Sequence, residues 1–350
     1  MSAYKSNNMI AIHNKTNEIL KNMPEFYKMY VNARSKRLAP STLLSYTYKF
    51  KIFLEYLHED NSYFGQKNIK DITLDDIALL QHEDILDFVS WLKNHIIKYK
   101  DNKGCTYDTD KANITIDSYL ACLSSVWNYY RRLNKVIHFN PVESIERSKI
   151  QEKPIIYLEE KEKTVLLQGI NSGMGLRGLE LVYHDKNKLR DETMCRLMLN
   201  TGIRVSELVG LDLEHINFNS HYITVTRKGG KIENVYFSDT VENHLKQYIE
   251  ARKDYKPKDD ENAVFLNRFG ERMGVRGIEK LIKKYTAAIL PDKLEKITPH
   301  KLRSTFATQM YEKTRDIELV RSKLGQNSHG VVLKYARAKQ QDMENSRNLL

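Results

Sequence analysis

Cysteine is scarce in this 350-residue chain: there are three, Cys105, Cys122 and Cys195, odd in number and widely spaced. That spacing argues against a disulfide framework and a CxxC-type metal site, so the thiols are expected to be reduced and structural. Long apolar runs are missing as well. No segment approaches the roughly 18 residues needed to span a bilayer, and the N-terminus, MSAYKSNNMIAIHNK, lacks the apolar stretch and small-residue cleavage site of a signal peptide. A cytoplasmic chain with no membrane partner is expected. Two further absences bear on chemistry: the sequence contains no Gly-x-x-x-x-Gly-Lys-Ser/Thr loop and no sequence-clustered His/Cys/carboxylate metal set. The expectation is an activity with no cofactor and no metal.

Acidic residues are outnumbered, 45 against 56 Lys and Arg, for a net charge of +11. Residues 1–150 carry 21 basic against 17 acidic residues and residues 151–350 carry 35 against 28, so both halves are basic. An excess of this kind favours a polyanion such as nucleic acid, although solvated lysine faces produce it too. Hydrophobic residues at 41% and aromatics at 10% suffice for packed cores. The length suggests two of them.

From Pro24 to about Pro141 the apolar periodicity is helical, with Phe26, Tyr30 and Val31 first and Leu43, Tyr46, Phe50, Phe53, Leu54 and Leu57 next. Ile85, Phe88, Val89 and Leu92 form a third stripe, and Tyr119, Leu120, Leu123, Val126, Trp127 and Tyr130 a fourth. Ser41 and Thr42 after Pro40, and Thr73 before Asp75 and Asp76, are candidate helix starts. The charged, proline-bounded run NPVESIERSKIQEKP (140–154) reads as a linker, with the boundary near residue 152. Helices are expected at 158–170 and 190–216. Two strands follow, Tyr222 to Thr226 and Ile232 to Phe237, about a Gly229-Gly230 turn, and helices resume from Asp239.

Four short segments could do chemistry. In Asn200-Thr-Gly-Ile-Arg-Val-Ser-Glu-Leu (200–208), Gly202 can take the positive φ that ends one helix and lets the next begin, holding Arg204 at a helix N-terminus with Glu207 to orient it. The same residues also suit an ordinary helix–turn–helix with a surface ion pair. In Thr298-Pro-His-Lys-Leu-Arg (298–303), Pro299 opens a helix, and His300 and Arg303 project from one face. Lys228 sits at the hairpin tip, where Arg227 and Lys231 compete with it for any role. Last, Lys323-Leu-Gly-Gln-Asn-Ser-His (323–329) closes a helix at Gly325 and is followed by Lys334-Tyr335-Ala.

In this order the four segments resemble the tyrosine recombinase and phage integrase family over essentially the whole chain. Leu38-Ala-Pro-Ser-Thr-Leu-Leu-Ser-Tyr (38–46) is also similar to that family's core-binding domain. The resemblance implies a mostly α fold with a small β-sheet or hairpin in the C-terminal domain, closing as a two-domain C-shaped clamp on DNA. It divides the chain into an N-terminal extension (1–23), a helical core-binding domain (24–146), a linker (147–156) and a catalytic domain (157–350). It further implies that Arg204, Lys228, His300, Arg303, Gln326 and Tyr335 are catalytic, and that Arg37, Ser41, Thr42, Tyr46, Lys49, Arg227 and Lys231 contact DNA. The implied partners are double-stranded recombination sites and, at synapsis, three further copies in a homotetramer, with a monomer or dimer when free and the segment after Tyr335 docking on a neighbour. One position departs: the family usually has His or Trp after Leu-Gly, and here stands Gln326, which cannot transfer a proton, with His329 three places on. A non-catalytic DNA-binding regulator and a type IB topoisomerase are the alternatives.

Overall fold

The computed structural model describes residues 3–61, 63–65, 67–102, 109–133, 136–147, 155–227, 229–258, 262–294 and 296–325. The chain is mostly helical and divides into two compact units, one spanning Ala3–Glu152 and the other running from Lys153 onward.

The first unit is built from helices α1 (Ala3–Leu20), α2 (Glu25–Arg34), α3 (Pro40–Asp60), α4 (Leu74–Ala78), α5 (His82–Asn102) and α6 (Thr109–Leu133). Prolines start two of them: Pro24 is the N-cap of α2, and Pro40 is the first residue of α3, where its missing N–H costs nothing. Ser41 and Thr42 therefore lie inside the first turn of α3, and the cap is Ala39, which makes no side-chain bond. At α4 the Thr73 hydroxyl accepts from the Asp76 N–H and the Asp76 carboxylate accepts from the Thr73 N–H, a reciprocal cap.

The periodic aromatics converge as their spacing requires. Tyr27 stacks on Phe50 at 4.3 Å, and Phe53 meets Phe88 and Trp127 edge-on at 5.0 and 5.9 Å. Helix α1 packs against α3 and contributes Thr16, Leu20 and the following Met23 to the interior. Residues 1–23, read from the sequence as an N-terminal extension, include a helix that packs in this unit.

The second unit contains α7 (Glu160–Ser172), α8 (Leu179–Val182), α9 (His184–Thr201), α10 (Val205–Val209), strands β1 (Ile216–Asn217), β2 (Tyr222–Thr226) and β3 (Ile232–Tyr236), then α11 (Asp239–Ala251), α12 (Val275–Ile289), α13 (Pro299–Thr314) and α14 (Ile317–Leu324). The strands form an antiparallel sheet in the order β1-β2-β3, with Tyr222 opposite Tyr236 and Thr226 opposite Ile232. Strand β3 stops one residue short of the expected Phe237, whose N–H donates to the His221 carbonyl. The single helix expected over 190–216 is instead α9, a break at Gly202, the short α10 and a 3-10 turn at 213–215.

Helix α9 packs against α7, α11 and α13. It buries Arg190, Asp191 and Glu192 as well as apolar residues, and each charge has a partner. Arg190 donates to the Asp191 carboxylate at 2.7 Å and to the Leu266 carbonyl at 3.0 Å, and the Tyr285 hydroxyl donates to the other Asp191 oxygen at 3.0 Å. Glu192 accepts from Arg196 and Asn171. Partnering of this kind is what allows ions to sit in a core. Cys122 and Cys195 are free and buried, and burial pushes the Cys122 thiol up to about 12, so it stays protonated. Cys105 lies outside the described residues. No helix among the described residues is long and apolar enough to cross a membrane.

Candidate active site

Gly202 is where α9 stops. It adopts φ +63°, and its N–H closes the helix on the Met198 carbonyl. A Cβ there would stand 2.3 Å from Cδ1 of Phe306 on α13, so glycine is required both by the dihedral and by the approach of that helix. Two residues later Arg204 is the N-cap of α10 in extended geometry. Glu207, buried at 3% side-chain exposure, grips it twice: its carboxylate accepts from the Arg204 backbone N–H and from Nη1, both at 2.8 Å. Arg204 keeps 32% of its side chain exposed, which leaves a fixed guanidinium edge at the surface.

The same carboxylate holds a second cation. Arg227, the residue after β2, donates from Nη1 to Glu207 Oε2 at 2.8 Å and from Nη2 to the Lys323 carbonyl of α14 at 2.9 Å, with its side chain 3% exposed. Its Nε faces the Glu233 carboxylate of β3 at 3.5 Å. Arg227 is therefore not a surface cation offered to DNA, as expected from the sequence. It is a buried strut joining the hairpin, α10 and the end of α14. Gly325, at φ +57°, ends α14 beside it, and a Cβ there would lie 2.8 Å from Arg227 Nε.

Arg303 on α13 is 1% exposed and bridges the same elements. Nη1 donates to the Gly202 carbonyl and Nη2 to the Leu324 carbonyl, each at 2.6 Å. Both acceptors lie at helix C-termini, where the macrodipole is negative and a cation is welcome. His300, one turn earlier on α13, is exposed. Partial desolvation first, then the charges of Lys301, Arg303 and Arg204, hold its imidazolium below the ordinary 6.5. The dependence on both arginines places His300 in their joint field, where it is neutral at neutral pH and able to accept a proton.

The structure thus brings Arg204, His300 and Arg303 together, with Glu207 and Arg227 beneath them. Lys228, Gln326, His329 and Tyr335 lie outside the described residues. Lys231, across from Arg227, accepts its N–H on the backbone to close the hairpin and leaves its own side chain 76% exposed. Such a cluster can bind a tetrahedral anion, donate to its oxygens and accept a proton beside it.

The sequence pattern of the phage integrase family matches residues 159–342, more than half of the chain, and takes in every residue of this cluster. The chain belongs to the phage integrase family. Among curated relatives, the tyrosine recombinase XerS of Streptococcus mutans serotype c is 29% identical, over 95% of this chain and 97% of its own. Among solved structures, the XerH site-specific recombinase bound to palindromic difH substrate in a post-cleavage complex has TM-score 0.59 at 20% identity, covering 89% of this chain and 79% of that one. The Tn1549 transposon integrase in complex with transposon right end DNA has TM-score 0.59 at 18% identity, covering 91% and 98%. At these identities the two structures speak for the fold.

In the helical unit of this family member, Arg37 and Ser41 are exposed, and Thr42, Tyr46 and Lys49 are half-buried. Lys49 Nζ donates to Ser45 Oγ at 3.0 Å and lies 6.0 Å from the Tyr46 ring centre. Among the described residues the fold also gathers two sets of potential metal ligands, Asp212 with Glu214 and His215, a short sequence cluster that the sequence reading passed over, and His221 with Asp239 and Glu242. Asp212 is engaged by Arg272 at 2.6 Å and Glu242 by Lys246 and His221, each at 2.5 Å, and neither set includes a residue of the arginine cluster.

What the sequence did not disclose at first reading is Arg227 as a buried strut, and Glu207 as the carboxylate shared by two arginines. A signal was present. Ile223 and Val225 alternate along β2 as core residues, and Arg227, one residue past its end, continues the alternation, so strand periodicity points it inward with them.

Proposed function

We propose that this tyrosine recombinase cleaves and rejoins DNA at specific sites through a 3′-phosphotyrosine intermediate, with Tyr335 as the nucleophile. The observation that carries the reading is the cluster itself: Arg204 and Arg303 fixed by Glu207 and two helix-end carbonyls, beside a histidine whose protonation is disfavoured by partial burial and then by the neighbouring cations.

Breaking a phosphodiester builds negative charge on the non-bridging oxygens while one oxygen attacks and another departs in line. Arg204 offers a fixed fork to those oxygens, and Arg303 supplies a buried positive charge at the floor. Preorganised donors of this type are worth about 10²–10³ in rate each. The Tyr335 oxygen attacks phosphorus and forms the Tyr–O–P bond as the P–O5′ bond breaks. Its proton passes to His300, and Lys228 protonates the leaving 5′ oxygen. Gln326, or His329 in its place, donates to a non-bridging oxygen. The phosphoester energy is kept in the protein link, so a 5′-hydroxyl of another strand reverses the step without ATP or metal.

Arg37, Ser41, Thr42, Tyr46, Lys49 and Lys231 would contact the duplex, and four copies would assemble on two recombination sites. The test is a nicked suicide duplex carrying the chain's own site, selected beforehand from genomic fragments by binding. Wild type should give an SDS-resistant adduct in EDTA, and Tyr335→Phe none. An adduct formed by Tyr335→Phe would reject the nucleophile, and an adduct that needed a divalent metal would reject the mechanism.

A further inference from the structure

Arg227 is fixed at its backbone as well as at its guanidinium. Its N–H donates to the Lys231 carbonyl at 2.7 Å, and its own carbonyl accepts from the Gly230 N–H at 3.1 Å. These two bonds close the turn between β2 and β3, in which Gly229 and Gly230 adopt φ +84° and +86°. Both glycines are exposed, and a Cβ on either would meet nothing within 4 Å. Among the described residues from 226 to 234, Arg227 alone is buried. The far end of the hairpin is therefore anchored to the body of the unit through this one side chain.

An aliphatic residue there would continue the core face of Ile223 and Val225 without burying a cation, which is costly unless every charge is met. What the guanidinium adds is a rigid fork that spans two acceptors on different elements. Nη1 reaches Glu207 Oε2, on the carboxylate that also grips Arg204, and Nη2 reaches the Lys323 carbonyl, three residues before Gln326. Glu233 Oε2, from β3, stands 3.5 Å from Nε and draws the second strand to the same group. One buried arginine thus ties the root of the turn to two of the segments that carry the phosphate chemistry, and Lys228 is the next residue in the chain.

We infer that Arg227 is the positioning residue for the leaving-group proton: by tying the turn to Glu207 and to the end of α14, it fixes the point from which Lys228 delivers that proton. The inference rests on the recombinase reading, of which Lys228 as the acid is a part. In the step concerned the P–O5′ bond breaks, its electron pair stays on the oxygen, and a proton passes from the Lys228 ammonium to that oxygen, leaving an amine. Sulfur in place of the bridging 5′ oxygen removes the need for the proton, because thiols ionise near pH 8.5 and a thiolate departs unaided.

The experiment is single-turnover adduct formation by the full chain on two nicked suicide duplexes, identical except for oxygen or sulfur at the 5′ bridging position of the scissile phosphate. The quantity read is the ratio of the sulfur rate to the oxygen rate. Lys228→Ala should raise it by about 10²–10⁴, the worth of a general acid. Arg227→Gln should raise it on the order of 10²-fold, the cost of misplacing a reacting group by about 1 Å. In a Lys228→Ala background Arg227→Gln should leave the ratio where it is, because no proton remains to be placed. Arg227→Lys keeps a charge beside Glu207 but cannot span both acceptors, so it should raise the ratio too, and it carries the test if Arg227→Gln melts early. A role confined to holding Arg204 through Glu207 lowers both rates equally. That result, a wild-type ratio in the Arg227 variants while Lys228→Ala shifts it, overturns the proposal and leaves the recombinase reading standing. A wild-type ratio in Lys228→Ala removes the acid and the proposal with it, and a wild type that forms no adduct on either duplex sinks the parent reading and both.

Discussion

Replacing Glu207 by Gln removes one buried negative charge and leaves the shape intact. In the folded protein that carboxylate accepts three bonds at 2.8 Å, from the Arg204 N–H, Arg204 Nη1 and Arg227 Nη1. An amide has only one oxygen, so at least one guanidinium N–H would face an NH2 group, and two cations would be left across a site 3% exposed. Removing one partner of a buried pair costs about 3–5 kcal/mol, a large share of the roughly 5–15 kcal/mol that holds a domain together. For a unit of this size each kcal/mol is worth about 2–4 °C, so calorimetry of the full chain should show the transition of the second unit falling by roughly 6–20 °C. A cycle with Arg227→Leu sharpens the test. The pair is coupled through one carboxylate, so the double variant should be less destabilised than the two single losses added together. A Glu207→Gln protein melting within about a degree of wild type, or strict additivity in the cycle, would refute the reasoning.

Gly202→Ala forces a side chain into φ +63° and against Phe306, and should cost about 2–4 kcal/mol, with adduct formation falling because Arg204 and the carbonyl that holds Arg303 move together. A variant with unchanged melting and rate would show the turn to be permissive. Adduct formation at subsaturating DNA reports the free protein, and its acid limb should lie below pH 6.5 because the folded site depresses His300. The sign for stability is the same: the unfolded chain takes up the His300 proton first as pH falls through 6.5, so the His300 contribution to stability declines on acidification. An acid limb centred at or above pH 6.5 would count against His300 as the base.

The parts legible in the sequence were those set by a local rule. Gly202 and Gly325 announce helix ends because a positive φ favours glycine, Pro299 opens α13, and the aromatic stripes of α3, α5 and α6 follow helical period. Helix α1 was less visible because a threonine interrupts its inward face, Thr16 between Ile12 and Leu20, while Met9 and Ile10 stay exposed. The Arg190–Asp191–Tyr285 network was hidden for a related reason: hydrophobic periodicity assigns charged residues outward, and besides Arg190 the buried Asp191 depends on a partner 94 positions away. Arg303 illustrates the limit at the site. Its place on α13 beside His300 could be read locally, but its acceptors, 101 and 21 residues away in sequence, are carbonyls that every residue possesses.

That choice of acceptor bears on the proposed mechanism. A carboxylate acceptor cancels a guanidinium charge, whereas a carbonyl at a helix C-terminus meets it with a partial charge. The carbonyls at the ends of α9 and α14 accept from the two terminal nitrogens of Arg303. Glu207 meanwhile is one carboxylate shared by two guanidinium groups, Arg204 and Arg227. On the proposed mechanism two demands conflict: the arginines must be rigid, which calls for acceptors, and they must keep positive charge for a phosphate, which forbids full neutralisation. The lowered pKa of His300 comes first from its partial burial, and the charges of Lys301, Arg303 and Arg204 add to it.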